Sequence, residues 1–373
     1  MGRIKTLLVI VISALLSLKI ADFCLGFRNN SDQLTSGQRH IVLREHDPNQ
    51  NINTMPNNAY MVTADGLVQR EYKVSTDQNG FIKNGNTPSL SASNTLIVFM
   101  GGSTTEAIFV DERNRFPSVV EQNLRDTFSP SVAVINAGVS GNNSFHSLLN
   151  LQAKVINLKP DFVVLMHNMN DFALLSKTGS YWVGPESRLV VIDPKRRKEF
   201  SSVDIFRQIK NLLFPNIYDY VKPRLFPQIV FGDEFSAYRG VDLTLYKHEI
   251  NTMFESSLKS FIAVSREWGI KPILMTQFNR VNLEDAMFRD FVTRSNFPHE
   301  GKDYVEIYEN LNQIIRNVAK DMAVHLIDLD KKVPKSREYI YDIVHLNDNG
   351  SKFVGNIITE ELKFLLKENK IMN

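Results

Sequence analysis

The chain has 373 residues, of which 43% are hydrophobic and 23% are charged, as in a folded globular protein with a large core. Its formal net charge of +2 is too small to predict a nucleic-acid-binding surface. The single cysteine, Cys24, excludes an internal disulfide and a cysteine-based zinc site, and the eight histidines form no HExxH motif. We therefore predict no metal and no cofactor.

The first 28 residues are predicted to carry the chain to a membrane. Arg3 and Lys5 precede an apolar run over residues 7–18, which is the layout of a signal sequence. Because Lys19 stands where signal peptidase needs a small side chain, we favour an uncleaved signal anchor. Such an anchor would cross the membrane once and place the rest of the chain outside the cytoplasm. The alternative is a cleaved signal peptide and a secreted or periplasmic protein.

Residues 29–73 are predicted to be a polar tether and lead-in, because they contain the Asn-, Gln- and Asp-rich segments "RNNSDQLTSGQ" and "DPNQNINTMPNN". A folded domain is predicted over residues 74–370, where short apolar runs alternate with amphipathic segments. Strands are predicted at 95–99, 132–136, 161–166, 271–277 and 324–329, and helices at 114–127, 143–158, 242–268, 303–321 and 349–367. This alternation predicts an α/β fold, a three-layer α/β/α sandwich with about five parallel strands.

Two segments interrupt this alternation and are interpreted as insertions, residues 172–240 and 281–302. The first contains "KRRK" at 195–198, which we interpret as a solvated charge run. It also contains an aromatic and basic stretch at 205–232. That stretch fits a lid over a site, a surface that rests on a membrane, or the packing of a small subdomain.

Polar motifs follow the predicted strands, at the edge where parallel α/β sheets bind ligands. "GGST" with Ser103, "NAGVSGNNS" and "HNMND" follow the first three strands, and "DIVHLNDNG" with Asp342 and His345 precedes the last helix. Taken alone, Ser103 is typical of a helix N-cap. Together the motifs supply a hydroxyl, glycines that allow close approach, an amide and an Asp/His pair. These are the parts of an acyl-transfer site.

The same motifs, "FMGGSTTE", "NAGVSGNNS", "HNMND" and "DIVHLNDNG", resemble the four blocks of the SGNH hydrolases, the GDSL esterase/lipase superfamily. "VSTDQNGFIKNG" (74–85) resembles the segment before the first block in many bacterial exported or membrane-anchored members. The resemblance covers about residues 74–180 and 242–367 and implies a flavodoxin-like SGNH hydrolase fold. It implies a role for five residues: Ser103 as nucleophile, His345 as base, Asp342 as its orienter, and an oxyanion hole of the Ser103 and Gly141 backbone amides with the Asn170 side chain.

The chain departs from the family pattern at two positions. Gly102 replaces the Asp of Gly-Asp-Ser, and Asn168 replaces a Gly two residues before the block-three Asn. Both leave the implied chemical groups intact but alter the surroundings of the site. Thr105 stands where the G-x-S-x-G motif of α/β-hydrolases requires Gly, so that nucleophile elbow fits poorly. His167 is interpreted as a packing or hydrogen-bonding residue.

The predicted function is a serine esterase that hydrolyses an acyl ester through an acyl-serine. An O-acetyl group on a cell-surface glycan is the candidate substrate. An O-acyltransferase that uses the same acyl-serine is the alternative, because sequence does not tell which acceptor resolves the intermediate. A second alternative is a non-catalytic glycan-binding or assembly protein, and the complete set of five site residues argues against it. We expect membrane contact through the N-terminal segment and no nucleic-acid partner.

Overall fold

The computed structural model describes residues 13, 16–17, 40–84, 95–184, 188–192 and 242–372. The strands are β1 (His40–Ile41), β2 (Asn51–Thr54), β3 (Tyr72–Ser75), β4 (Thr95–Gly101), β5 (Val132–Gly138), β6 (Phe162–Met166), β7 (Val191–Ile192), β8 (Lys271–Met275) and β9 (His325–Ile327). The α-helices are α1 (Asn58–Val62), α2 (Ser103–Glu106), α3 (Phe116–Thr127), α4 (Ser144–Asn150), α5 (Met169–Thr178), α6 (Lys247–Glu267), α7 (Ala286–Ser295), α8 (Lys302–Asp321), α9 (Leu329–Lys332) and α10 (Asp348–Met372). A π-helical turn (Leu151–Val155) and a 3₁₀ turn (Ile156–Leu158) continue α4, and a second 3₁₀ turn (Pro298–Gly301) precedes α8.

The chain divides into two compact units. In the first, formed by Met1–Val42 and Val191–Pro227, the described strands β1 and β7 pair antiparallel. The second unit contains all the other labelled elements. Most of the predicted signal anchor, "KRRK" and the 205–232 stretch lie outside the described residues. In the described ranges, no helix has both the length and the apolar character needed to cross a membrane.

The second unit is built on a five-stranded parallel sheet with the order β5-β4-β6-β8-β9. Alternate residues of β4 belong to two different buried clusters, because successive side chains on a strand point to opposite faces. Leu96 and Val98 lie in the cluster with α4, α6 and α8, whereas Ile97 and Phe99 lie in the cluster with α3 and α10. Helices therefore cover both faces, and the predicted α/β/α sandwich of five parallel strands is confirmed.

The register of the sheet places the carboxyl ends of β4, β5 and β6 side by side. Gly101 of β4 pairs with Gly138 of β5 and with Met166 of β6, so the three loops that follow begin side by side. Ser103, Gly141 and Asn170 follow these three strand ends. The topology thus gathers at one edge residues that are 38 and 29 positions apart in sequence.

Part of the predicted lead-in is folded. β2 pairs antiparallel with β3, and α1 begins at an Asn57 side chain that accepts from the Tyr60 backbone N–H at 2.8 Å. The Tyr60 ring packs against Phe109 and Tyr341, with ring centroids 5.1 and 6.3 Å apart. Residues before the first motif therefore help to build the surroundings of Ser103.

A buried carboxyl group on α3 should make stability depend on pH. Glu121 is 5% exposed, and burial raises its pKa to about 7. Because its folded pKa exceeds the unfolded value, the folded state holds a proton that the unfolded chain releases between about pH 4.5 and pH 7. This group's share of the unfolding free energy should therefore fall by roughly 3 kcal/mol as pH rises through that window.

Denaturant unfolding at pH 5 and pH 8 tests this dependence. The Glu121→Gln variant keeps an oxygen that can accept from the Val134 N–H, as Glu121 Oε1 does at 3.0 Å. It should lose less stability than the wild type between the two pH values. Identical losses in the two proteins would show that Glu121 ionisation does not contribute.

Candidate active site

Ser103, His345 and Asp342 form a continuous hydrogen-bonded chain. Ser103 is the first residue of α2, directly after β4, and its Oγ lies 2.8 Å from His345 Nε2. His345 Nδ1 lies 2.7 Å from Asp342 Oδ2. If Nδ1 carries the proton and donates it to the carboxylate, Nε2 has a free lone pair that accepts the serine hydroxyl. This is the arrangement that a nucleophile, its base and an orienting acid require.

The loop between Asp342 and His345 holds the imidazole in place. Asp342 Oδ1 accepts from the backbone N–H groups of Val344 and His345 at 2.8 and 2.7 Å. The Tyr341 ring stacks on the imidazole, with centroids 5.6 Å apart and planes inclined by 12°. The carboxylate, the imidazole and the ring therefore fix one another, which explains why the spacing of three residues suits an Asp/His pair.

The predicted oxyanion donors are the Asn170 side chain and the backbone N–H groups of Ser103 and Gly141. Asn170 lies in the first turn of α5, and its Nδ2 donates to Asn142 O at 2.7 Å, which leaves its second N–H for another acceptor. Gly141 has a φ of +77°, a left-handed conformation that favours glycine. In the part of the chain that the structure describes, the backbone N–H groups of Ser103 and Gly141 donate to no protein acceptor. Within the described residues, no protein acceptor engages these two backbone N–H groups or the second N–H of Asn170, and their role as oxyanion donors stays a prediction.

Gly102 allows the Asn170 amide to approach the nucleophile turn. A Cβ atom on Gly102 would lie 2.3 Å from Asn170 Nδ2 and 3.0 Å from Asn142 O. In this arrangement there is no room for a side chain between the nucleophile turn and the amide. Gly102 is therefore matched to the observed position of Asn170.

Adding a methyl group at this position should displace the amide and slow the reaction. We expect Gly102→Ala to lower kcat for ester hydrolysis by about 10²-fold, the typical effect of losing one oxyanion donor. Gly269→Ala is the control, because the added atom would meet nothing within 4 Å, although the φ of +72° makes this variant less stable. Steady-state kinetics on both variants measures kcat. An unchanged kcat in Gly102→Ala would contradict the steric argument.

His167 and Asn168 have partners away from the hydroxyl. His167 Nε2 lies 2.7 Å from Ser147 Oγ, and burial lowers the pKa of His167 to about 3, so its ring is neutral. Asn168 Nδ2 donates to Tyr308 O at 3.0 Å. Both side chains are buried and hydrogen-bonded, and neither lines the cleft that contains Ser103.

Ser103 opens into a cleft of about 260 Å³. Its walls are largely apolar and combine residues from the motifs with residues from other elements: Tyr60, Thr63, Ile108, Phe109, Ser140, Met169, Gln277, Met287, Phe291, Arg294, Tyr341, Ile343 and Val344. Met287, Phe291 and Arg294 belong to α7, so the predicted insertion at 281–302 forms one wall. In the described ranges, no three His, Cys, Asp or Glu side chains converge as metal ligands.

A buried acid supports the loop that carries Gly141, and the sequence did not reveal it. Ser140 Oγ donates to Glu106 Oε2, and His46 Nε2 lies 3.0 Å from Glu106 Oε1. Burial lowers the pKa of His46, but the hydrogen bond and charge of Glu106 outweigh this effect and raise it. Glu106 follows Ser103 by three residues, yet a Glu there is equally typical of an ordinary first helical turn.

Gln277 is a second residue that the sequence did not reveal. It lies two residues after β8, the strand segment "KPILM", so the rule that identified the other motifs applies to it as well. A lone Gln after a strand carries no chemical signature, so the sequence alone does not distinguish it from its neighbours.

No protein-family model and no curated protein sequence matches the chain, whereas solved structures do. An α/β hydrolase enzyme from the metagenome of Lake Arreo, Spain, is 17% identical, with 74% of this chain and 97% of that chain covered and a TM-score of 0.41. An acetylxylan esterase from Geobacillus stearothermophilus is 15% identical over 72% and 94% of the two chains, with a TM-score of 0.41. The lipase/acylhydrolase from Enterococcus faecalis is 17% identical over 72% and 95%, with a TM-score of 0.42. Likenesses at these scores do not identify an activity.

Proposed function

We propose that the protein is a serine esterase of the SGNH type that cleaves an acyl ester through an acyl-serine. The observation that carries this proposal is the chain of hydrogen bonds from Asp342 through His345 to Ser103, at 2.7 and 2.8 Å, on the wall of an apolar cleft. Asp342 and His345 each have a second contact that fixes them, so the base is oriented before a substrate binds.

In the first step, His345 Nε2 takes the hydroxyl proton while Ser103 Oγ attacks the carbonyl carbon of the ester. The carbonyl oxygen becomes an oxyanion, which the Ser103 and Gly141 backbone N–H groups and the Asn170 amide stabilise. His345 then gives its proton to the leaving alcohol, and the acyl group stays on Ser103. Asp342 holds the imidazole in the required tautomer and stabilises its positive charge.

In the second step, His345 takes a proton from water, which attacks the acyl-serine; the acid leaves as His345 returns the proton to Ser103 Oγ. An alcohol acceptor in place of water would give the transferase reaction by the same route. The size of the cleft, about 260 Å³, lies at the lower end of ligand sites and favours a short acyl group such as acetyl. An O-acetyl group on a cell-surface glycan is the substrate we propose, because the N-terminal sequence is typical of an exported or anchored chain.

The test is hydrolysis of p-nitrophenyl acetate by the full-length protein in mild detergent, before and after treatment with a fluorophosphonate. We expect release of p-nitrophenol that the reagent abolishes. Release that is no faster than in buffer, or that survives complete labelling of Ser103, would contradict the esterase. Adding an oligosaccharide acceptor distinguishes the two second steps, because a transferase would yield acylated sugar at the expense of free acetate.

A further inference from the structure

Gln277 connects the turn that carries the nucleophile to the helix that carries an oxyanion donor. Its Nε2 donates to Thr104 Oγ1 at 3.1 Å, and its Oε1 accepts from the backbone N–H of Met169 at 2.8 Å. Thr104 follows Ser103, and Met169 precedes Asn170. One amide group therefore touches the neighbour of each of two predicted site residues.

The orientation of this amide follows from its partners. The Met169 N–H can only donate, so the oxygen of Gln277 must face it, and the nitrogen then faces the Thr104 hydroxyl. The N-cap residue of α5, Asn168, makes no capping hydrogen bond with its side chain. Gln277, in the segment after β8, thus satisfies the first N–H of α5, and it fixes the start of the helix from which Asn170 projects.

Gln277 is itself held in a fixed position. Its backbone N–H donates to Asn312 Oδ1 and its backbone oxygen accepts from Asn312 Nδ2, both at 3.0 Å. Gln277 is 3% exposed and Asn312, on α8, is fully buried. A buried amide with paired partners costs free energy to move, so small shifts of α5 against α2 are opposed.

We infer that Gln277 is a positioning residue for the esterase reaction, which sets the distance between the Asn170 amide and Ser103. The inference rests on the proposed function. Gln277 acts through Asn170, because its Oε1 holds the backbone N–H of Met169, the residue before Asn170. A displacement of about 1 Å at an oxyanion donor is enough to cost roughly 10²-fold in rate.

A double-mutant cycle in the full-length protein tests the inference. Gln277→Met keeps the size of the side chain and removes both hydrogen bonds, and it should lower kcat for p-nitrophenyl acetate by about 10- to 100-fold with little change in KM. In an Asn170→Ala background the same change should cost less than about threefold, because the donor that it positions is gone. An equal loss in both backgrounds, or no loss in the wild type, would overturn the inference.

Two further variants separate positioning from general damage. Gln313→Met, on the exposed face of α8, should leave kcat unchanged. Gln277→Glu retains an acceptor for Met169 and removes the donor to Thr104. It replaces Gln277→Met in the cycle if Gln277→Met does not fold. It should also lower kcat in the wild type and lose most of that effect in the Asn170→Ala background, and equal losses would overturn the inference.

A crystal structure of Gln277→Met decides the question independently of the reaction. We expect the Asn170 amide to leave its contact with Asn142 O, which is 2.7 Å in the wild type. An unmoved amide would overturn the inference even if the esterase is active. Conversely, a displaced amide in a protein without esterase activity would support the positioning role and refute the proposed function.

Discussion

Replacing Ser103 by alanine is expected to lower kcat for p-nitrophenyl acetate by about 10⁴- to 10⁶-fold, the range found when a serine nucleophile is removed. The variant lacks the Oγ that lies 2.8 Å from His345 Nε2, so no acyl-serine can form. It keeps its backbone N–H and the other donors, so substrate binding should change little. We therefore expect a loss in kcat and only a small change in KM.

Ser260→Ala is the matched control, because Ser260 is exposed on α6. Thermal unfolding of both variants should stay close to that of the wild type, because Ser103 makes its hydrogen bond on the wall of an open cleft. Ser103→Ala activity within about tenfold of the wild type would show that Ser103 is not the nucleophile.

The Asp342→Asn variant is expected to lose about 10⁴-fold in kcat. The oxygen of the new amide could still accept from the two backbone N–H groups that Asp342 Oδ1 binds at 2.8 and 2.7 Å, so the loop should keep its shape. However, the amide N–H that then faces His345 Nδ1 would stabilise the tautomer with the proton on Nε2. In that tautomer His345 cannot accept the Ser103 proton.

Kinetics on the single and double variants test this account. Adding Asp342→Asn to Ser103→Ala should cause almost no further loss, because the two residues act as a unit. Asp126→Asn is the control, because Asp126 is exposed and accepts from Gln122 on the same helix. A loss below about tenfold in Asp342→Asn would show that this carboxylate does not orient the base.

The sheet could be predicted from the sequence because its strands are short apolar runs that are buried on both faces. β4 and β6 are almost continuously buried, and such runs stand out between amphipathic helices. The positions of the site motifs could also be predicted from the sequence, because parallel topology brings the ends of these strands to one edge. The hydrogen bond between Ser103 and His345 joins residues 242 positions apart, so its geometry needed the structure.

The walls of the cleft could not be predicted, for physical reasons. Tyr60 comes from a segment with the composition of a polar tether, and it is placed by ring contacts with Phe109 and Tyr341 that have no periodic pattern. Gln277 and Glu106 each contact two residues from other elements through their polar side-chain atoms. Such contacts depend on tertiary packing, which overrides local sequence preference.

The most direct test of the central claim is to trap the acyl-serine. Full-length protein mixed with p-nitrophenyl acetate is quenched in acid after a few turnovers, and the digested peptides are analysed by mass spectrometry. The account predicts an acetyl group on Ser103 in the wild type and none on that peptide in Ser103→Ala. An active enzyme whose acetyl group is found on another residue, or that never carries one, would contradict the claim that Ser103 attacks the ester.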